Sequence, residues 1–275
     1  MTRQKAISSA LGCGLLIAFF QFAPRIAEAE QVTDPRIADI VQAGKLRVGI
    51  GLENLVSGVK DPATGELRGV AVDIARALAG RIKVEFQPIE YPKPGMVLDG
   101  ARDNTWDVTF LVIDPGRAAD ADFSPPYMES DITLLVPAGS AIRNVKDADQ
   151  PEFRIGVARG DAVDMRLRRI VRQAELVHVA SQAAGEHLLR TGRTDAYAAP
   201  RPALLGMSAH LSDSQVLEDS FATISFAAIV PKGHDGNLAY VGEFLEEAKA
   251  SGLIKSFIER AGLGGTKVAP PAKSN

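Results

Sequence analysis

From Val108 to Ile113 the chain reads V-T-F-L-V-I, apolar and β-branched without a charged interruption. Such a run suits a strand buried on both faces of a parallel sheet. It stops at Asp114-Pro115-Gly116-Arg117, where Asp114 serves as N-cap and Pro115 as the first residue of a helical turn. A strand that ends where a helix begins points to an open α/β sheet, and such sheets bind ligands beyond the carboxyl ends of their strands. Arg117 falls at that place, and its planar guanidinium fork matches a carboxylate. By position alone it also fits a solvated surface arginine.

The rest of the chain alternates in the same way. Ile37 to Ala43 has helical spacing with Gly44 as a stop, and Lys45 to Ile50 then forms a strand. The segment Leu52 to Val59, with Glu53 and Asn54, follows that strand and is expected to line a cleft. Asp61-Pro62-Ala63-Thr64-Gly65 is turn chemistry. Leu67 to Leu78 is expected as a helix with Val70, Ile74, Ala77 and Leu78 on its core face, and Asp73 on it as a structural hydrogen-bonding residue. Lys83 to Gln87 is a second strand, Met96 to Ala101 a short helix, and Asp107 a brace or cap before the central run. A second set begins with a strand at Arg154 to Val157, the turn Ala158-Arg159-Gly160-Asp161-Ala162 and a helix to about Gln173. Free N–H groups at such a turn suit an anion, although Asp161, a candidate helix cap, would repel one. Strands at Leu176 to Val179 and Asp195 to Ala199 and helices at Gln182 to Arg190 and Pro202 to His210 complete a second doubly wound unit. Arg166, Arg168, Arg169 and Arg172 have the spacing of one solvated helix face. No repeat of fixed period is present.

The amino terminus carries Arg3 and Lys5, an apolar run from Ala10 to Phe22, and Ala27-Glu28-Ala29, the three parts of a cleaved secretory signal. The run is shorter than the ~20 apolar residues of a membrane span and is followed by Pro24 and Arg25. Cys13, the single cysteine, precedes most of the apolar run and does not fit a lipid-attachment site. Cleavage after Ala29 is expected to leave no cysteine, hence neither disulfide nor thiol nucleophile, in an oxidising compartment. Of 31 basic residues, removal of Arg3, Lys5 and Arg25 leaves 28; of 34 acidic residues, removal of Glu28 leaves 33, a net charge of −5. That balance, with no basic block, argues against nucleic acid. The four histidines, His178, His187, His210 and His234, have no metal-ligand spacing. The mature chain carries no G-x-S-x-G elbow, P-loop or dinucleotide fingerprint, so neither metal nor cofactor is expected.

Asp122, Phe123, Ser124, Pro126 and Tyr127, following the strand and arginine turn, complete a D-F-S-x-P-Y pattern. With G-K-L-R-V-G-I at Gly44 to Ile50 and L-R-G-V-A-V-D-I-A from Leu67, it resembles the family 3 extracellular solute-binding proteins, periplasmic receptors of ABC importers. The resemblance spans Gly44 to Leu263. It implies an α/β protein of the type 2 periplasmic-binding fold, two doubly wound lobes joined by two hinge strands, Asp131 to Pro137 and Thr223 to Pro231. Residues 1–29 would be the signal, 30–134 with 226–263 the first lobe, 135–225 the second, and 264–275 a frayed tail. The ligand would lie between the lobes, held by Arg117, Glu53, Asn54, Gly160, Asp161 and Tyr127. Partners implied are a small-molecule solute and a membrane permease, with the receptor a periplasmic monomer that closes on its ligand and catalyses nothing.

Three departures from typical amino-acid receptors bear on the ligand. No aromatic residue stands between Leu52 and Val59 to cover it. The loop from Asp107 to Arg117 is two residues shorter. The carboxylate that binds the α-ammonium in those receptors lies five residues beyond the aspartate of the second lobe's G-x-x-D-A; counted from Asp195, that position is Pro200. A small carboxylate-bearing solute without an obligatory ammonium is therefore expected. The rival class is a dehydratase-like enzyme on the same scaffold, which needs a cleft acid, and Glu53 and Asp161 are its candidates. An accessory or sensory binding protein is a third reading.

Overall fold

The computed structural model describes residues 34–52, 54–114 and 121–273. The expected signal segment, Glu53 and residues 115–120, which include Arg117, lie outside the described residues.

Asp34 accepts the Arg36 N–H at 3.0 Å and starts a 3-10 turn, Pro35–Ile37, that runs into α1 (Ala38–Ala43). Gly44, at φ 70°, ends it as expected. β1 (Lys45–Gly51) follows, then a small hairpin of β2 (Val59–Lys60) and β3 (Leu67–Arg68) about the Asp61 turn. α2 (Val70–Ile82) buries Val70, Ile74 and Leu78 with Ala71, Val72, Ala75 and Ala79, and Arg260 donates to Asp73 on it at 3.0 Å. β4 (Glu85–Tyr91) begins and ends later than the sequence suggests. It contains Pro88, which an edge strand tolerates because one side needs no ladder bond. A 3-10 turn at Pro94–Gly100 leads to β5 (Val108–Val112), the central apolar run.

β6 (Ala121–Phe123) and β7 (Met128–Pro137) come next, then β8 (Arg154–Ala158), α3 (Ala162–Ile170), β9 (Glu175–Val179), α4 (Gln182–Arg190), β10 (Ala196–Pro200) and α5 (Arg201–Ser208). β11 (Ser214–Val216), β12 (Ala222–Pro231), α6 (Asp235–Ala250), α7 (Leu253–Arg260) and β13 (Thr266–Val268) close the chain.

The strands form one curled mixed sheet in the order β4-β1-β5-β12-β7-β10-β8-β9. It divides into two similar halves. In the first, β1 lies between parallel β4 and β5, and β5 meets antiparallel β12. In the second, β8 lies between parallel β9 and β10, and β10 meets antiparallel β7. The halves join through β7 and β12 themselves, Met128 to Ile132 pairing with Phe226 to Ala222. The first connecting strand thus starts at Met128, three residues before the expected Asp131. The reason is local: Met128 and Ser130 have buried side chains and the ladder to β12 is already complete there.

The expected frayed tail is corrected. β13 adds to β7, with Thr266 opposite Ser130 and Val268 opposite Met128, and Ala269 is buried and donates its N–H to Tyr127 O at 3.1 Å. β-branched Thr266 and Val268 favour a strand, and Lys249 holds the following Pro270 carbonyl at 2.9 Å.

Candidate functional site

Two braces fix the strands whose far ends make the site. The Arg47 N–H donates to Asp107 Oδ2 at 2.7 Å, Nε to Oδ1 at 3.1 Å, and Asp107 N returns a bond to Arg47 O at 2.9 Å. β1 and β5 are thereby locked at their amino ends, the bracing role expected of Asp107. In the second half Arg154 N and Nε donate to Asp195 Oδ2 at 2.9 and 3.0 Å, and Asp195 N to Arg154 O at 2.9 Å. Each arginine also reaches a carbonyl three residues before its aspartate, Asn104 O at 2.8 Å and Gly192 O at 3.0 Å.

At the opposite ends of these strands lies a cleft of about 210 Å³. Val112, Ile113 and Asp114 form its wall on the β5 side, Ala162, Met165, Arg166 and Arg169 its wall on α3, and Thr223, Ile224 and Ser225 of β12 its floor. This is smaller than the ~300 Å³ at which pockets for drug-sized ligands begin, so the space suits a small solute. The floor hydroxyls are tied across the strand pair, Thr223 Oγ1 to Asp131 at 3.0 Å and Ser225 Oγ to Glu129 at 3.4 Å. Ile113 remains 38% exposed, an apolar surface presented to the cleft.

α3 is oriented by its buried face. Val163, Asp164 and Leu167 point inward, so positions three and four apart on the other side, Ala162, Met165, Arg166 and Arg169, face the cleft. Asp164 is almost fully buried and accepts bonds from Gly160 N at 2.7 Å, Arg168 Nε at 2.7 Å and His178 Nε2 at 2.9 Å. Burial alone would raise its carboxyl, but those donors hold it at about 2. Arg166, Arg168, Arg169 and Arg172 are all exposed, as expected of a solvated face. Within it Arg168 turns its guanidinium onto Asp164 at 2.7 Å, while Arg166 and Arg169 line the cleft.

The structure distributes the remaining candidates unevenly. Asp161 caps α3, its carboxylate accepting Asp164 N at 2.8 Å. Gly160, at φ 77°, gives its N–H to Asp164, which occupies that donor of the expected anion turn. Asn54 folds its Oδ1 back onto the N–H groups of Val56 and Ser57 at 3.0 and 3.2 Å, leaving the amide nitrogen as the group it can offer. Tyr127 is corrected: it is fully buried, with its ring 5.9 Å edge-on to Phe110 and its N–H and carbonyl in the sheet. Burial pushes its phenol well above the ordinary range, and it belongs to the core. Pro200 ends β10 opposite Ile132, and the next residue, Arg201, spends its guanidinium on Leu217 O and Glu218 O at 2.7 and 2.8 Å. Neither Pro200 nor Arg201 supplies a carboxylate.

Arg166 and Arg169 are the functional candidates missed in sequence. Helical phase could have separated them from Arg168, because Val163 and Leu167 mark the buried stripe and place Arg168 beside it. Among the described residues no helix is long and apolar enough to cross a membrane.

Residues 46–262 match the family described as bacterial extracellular solute-binding proteins, family 3. The ABC transporter glutamine-binding protein GlnH of Bacillus subtilis (strain 168) is 25% identical over 222 residues, 78% of this chain and 80% of that protein. Among solved structures, a putative binding component of an ABC transporter from Wolinella succinogenes, complexed with lysine, superposes with a TM-score of 0.71 at 23% identity, covering 79% of this chain and 95% of that one. The ancestral amino acid-binding protein AncCDT-1, a precursor of cyclohexadienyl dehydratase, gives 0.68 at 22% identity over 82% and 97%.

Proposed function

Because this chain belongs to the bacterial extracellular solute-binding proteins of family 3, we propose that it is a periplasmic receptor which captures a small carboxylate-bearing solute and delivers it to the permease of an ABC importer. It is a binding protein and not an enzyme, as its matched relatives are. The cleft over the β7/β12 pair is the observation that carries the reading. Residues from both half-sheets and from the connecting strand meet there, so a solute that touches both walls favours the closed arrangement. In this reading residues 30–134 with 226–263 form one lobe and 135–225 the other, and the paired segments Met128 to Ile132 and Ala222 to Phe226 bend on closure.

The glutamine for which one relative is named and the lysine held by another set a size class for the ligand. Pro200 narrows it. Burying an α-ammonium without its carboxylate partner costs several kcal/mol, which favours a solute lacking that group. Arg117 is the proposed anchor for its carboxylate, with Asn54 and Glu53 as further proposed contacts. Residues 1–29 direct export, and the exported chain acts as a monomer.

A thermal-shift screen of amino acids, organic acids and polyamines against wild type and Arg117→Ala tests the ligand class, with small-angle scattering on any hit to read closure. Binding of an organic acid, lost by at least about tenfold in Arg117→Ala and accompanied by compaction, is the expected result. Micromolar binding of an ordinary amino acid overturns the ligand class. Undiminished binding by the variant overturns the anchor.

A further inference from the structure

The end of the chain touches both half-sheets and the strands between them. Gly264 and Gly265 lie against α5 of the second half: a Cβ at Gly264 would stand 3.4 Å from Leu205, and one at Gly265 2.5 Å from Arg201 Cδ. Gly265, at φ 80°, has the backbone that glycine adopts most readily, and the chain turns there onto β7. Thr266, Lys267 and Val268 then stand opposite Ser130, Glu129 and Met128. Beyond them Pro270 O accepts from Lys249 Nζ at 2.9 Å and Ala272 N donates to Glu246 at 3.2 Å. Both partners belong to α6, which packs on β6 and β12 of the first half.

β12 pairs with residues 128–132 of β7, so β13 occupies the opposite edge. β10 takes up that same edge from Ile132 onward. The two ladders meet at Asp131: Pro200, opposite Ile132, ends one, and Thr266, opposite Ser130, begins the other. The Asp131 carboxylate spans the junction. Its Oδ2 is 3.3 Å from Lys267 Nζ and 3.9 Å from Arg201 Nε, and its Oδ1 accepts from Thr223 of β12 at 3.0 Å. Arg201 is itself fixed on Leu217 O and Glu218 O at 2.7 and 2.8 Å, so it cannot follow a moving Asp131 without leaving those carbonyls. One side chain thus ties β13, α5 and β12 together where a two-stranded connection would otherwise twist most easily.

We propose that residues 264–272 form a strap across the hinge, holding the two half-sheets in one arrangement, and that the clasp of Asp131 with Lys267 and Arg201 must loosen before the halves can turn. This rests on the receptor reading above, in which Met128 to Ile132 bend on closure. Contacts made in only one arrangement shift the population towards it, so the strap sets how readily the cleft opens and closes.

The test measures the distance between the halves in the exported full chain without solute. Gln42 on α1 and Ala183 on α4 are exposed and lie in different halves. Gln42→Cys and Ala183→Cys, spin-labelled together, report that distance by pulsed electron resonance. The background is compared with a chain ending at Leu263 and with an Asp131→Asn/Lys267→Met double variant, in which asparagine keeps an acceptor for Thr223 and the β13 ladder stays in place. Circular dichroism checks that each is folded. We expect one distance in the background and, in both variants, a second one above about 10% of the signal, more than the minor state such proteins ordinarily carry. A folded shortened chain that keeps the single distance overturns the strap. If the shortened chain does not fold, the double variant decides: a second distance supports the strap, and the single distance overturns it. No solute enters this measurement, so its failure leaves the receptor reading standing, and compaction of the wild type on binding solute tests that reading separately.

Discussion

The two half-sheets are alike at their amino ends and different at their carboxyl ends. Arg47-Val48-Gly49-Ile50 and Arg154-Ile155-Gly156-Val157 make the same strand, and each arginine clasps an aspartate that precedes the next inner strand. The glycine two residues after each arginine lets a large side chain press onto the strand. A Cβ at Gly49 would come within 2.6 Å of Val97 and 3.1 Å of Trp106, and one at Gly156 within 2.9 Å of Tyr197. At the carboxyl ends nothing corresponds. The first half offers Ile113 and Asp114; the second offers a helix with two cleft-facing arginines. The difference separates scaffold from function: the braces set strand positions from below, and the loops above are free to carry unrelated chemistry.

The largest effect tests the glycines. Gly49→Ala drives a methyl into Val97 and the fully buried Trp106, whose Nε1 is already fixed on Val97 O at 2.8 Å. Overpacking of this kind costs about 3 kcal/mol where neighbours cannot yield. Gly156→Ala meets the edge of the Tyr197 ring at 2.9 Å and Thr194 at 3.4 Å, looser contacts than those at Gly49, and about 1 kcal/mol is expected. Urea unfolding of both variants measures the gap. Equal losses would show that the two halves pack their central strands equally tightly.

Next in size is the response to acid. Asp164 is the one carboxylate buried among the described residues, and it belongs to the second half. Its folded value of about 2 lies below the ordinary 3.8, so it stabilises the fold fully above about pH 4 and loses that contribution as pH falls towards 2. The shift corresponds to about 2 kcal/mol. Asp164→Asn should lower stability at pH 6 by about that much and flatten the pH dependence between 4 and 2. Denaturant midpoints at pH 6 and pH 3 report both. A variant that keeps the wild-type slope would move the acid sensitivity away from this network.

Most of this organisation was legible in the chain. Unbroken apolar runs such as Val108 to Val112, helix stops such as Gly44 and the Asp161 cap of α3 place strands and helices within a few residues. What the sequence hid depends on distant partners. β6, β11 and β13 are three residues each, too short to show alternation, and they exist because β7 and β12 offer them edges. β4 looked shorter because Pro88 reads as a break until its edge position is known. The repeated brace escaped notice because the arginine and aspartate are 60 residues apart in the first half and 41 in the second, which removes any fixed period. In the site, Tyr127 was chosen from its motif, yet burial assigns it to the core. Arg166 and Arg169 read as part of a solvated helix face, and only the placement of β5 and β12 across from α3 shows that this face borders the cleft.

The smallest effect concerns the braces themselves, where geometry matches and environment differs. The Asp107 side chain is 13% exposed and that of Asp195 31%. Water competes more strongly for the second pair, and partly exposed ion pairs contribute no more than about 1 kcal/mol. Removing Asp107 also strands an inward-facing Arg47 N–H that bonds its carboxylate at 2.7 Å, a loss that exposure softens less. A double-mutant cycle of Arg47→Ala with Asp107→Ala should give a coupling of about 1 to 2 kcal/mol, and Arg154→Ala with Asp195→Ala about half that. Raising salt should shrink the second coupling more than the first, since screening acts mainly on exposed charge. If the two couplings agree and respond equally to salt, solvent exposure is not what distinguishes the braces. Their common backbone bonds, Asp107 N to Arg47 O and Asp195 N to Arg154 O, both at 2.9 Å, would then carry the locking of each central strand, because those bonds survive in every alanine variant of the cycle.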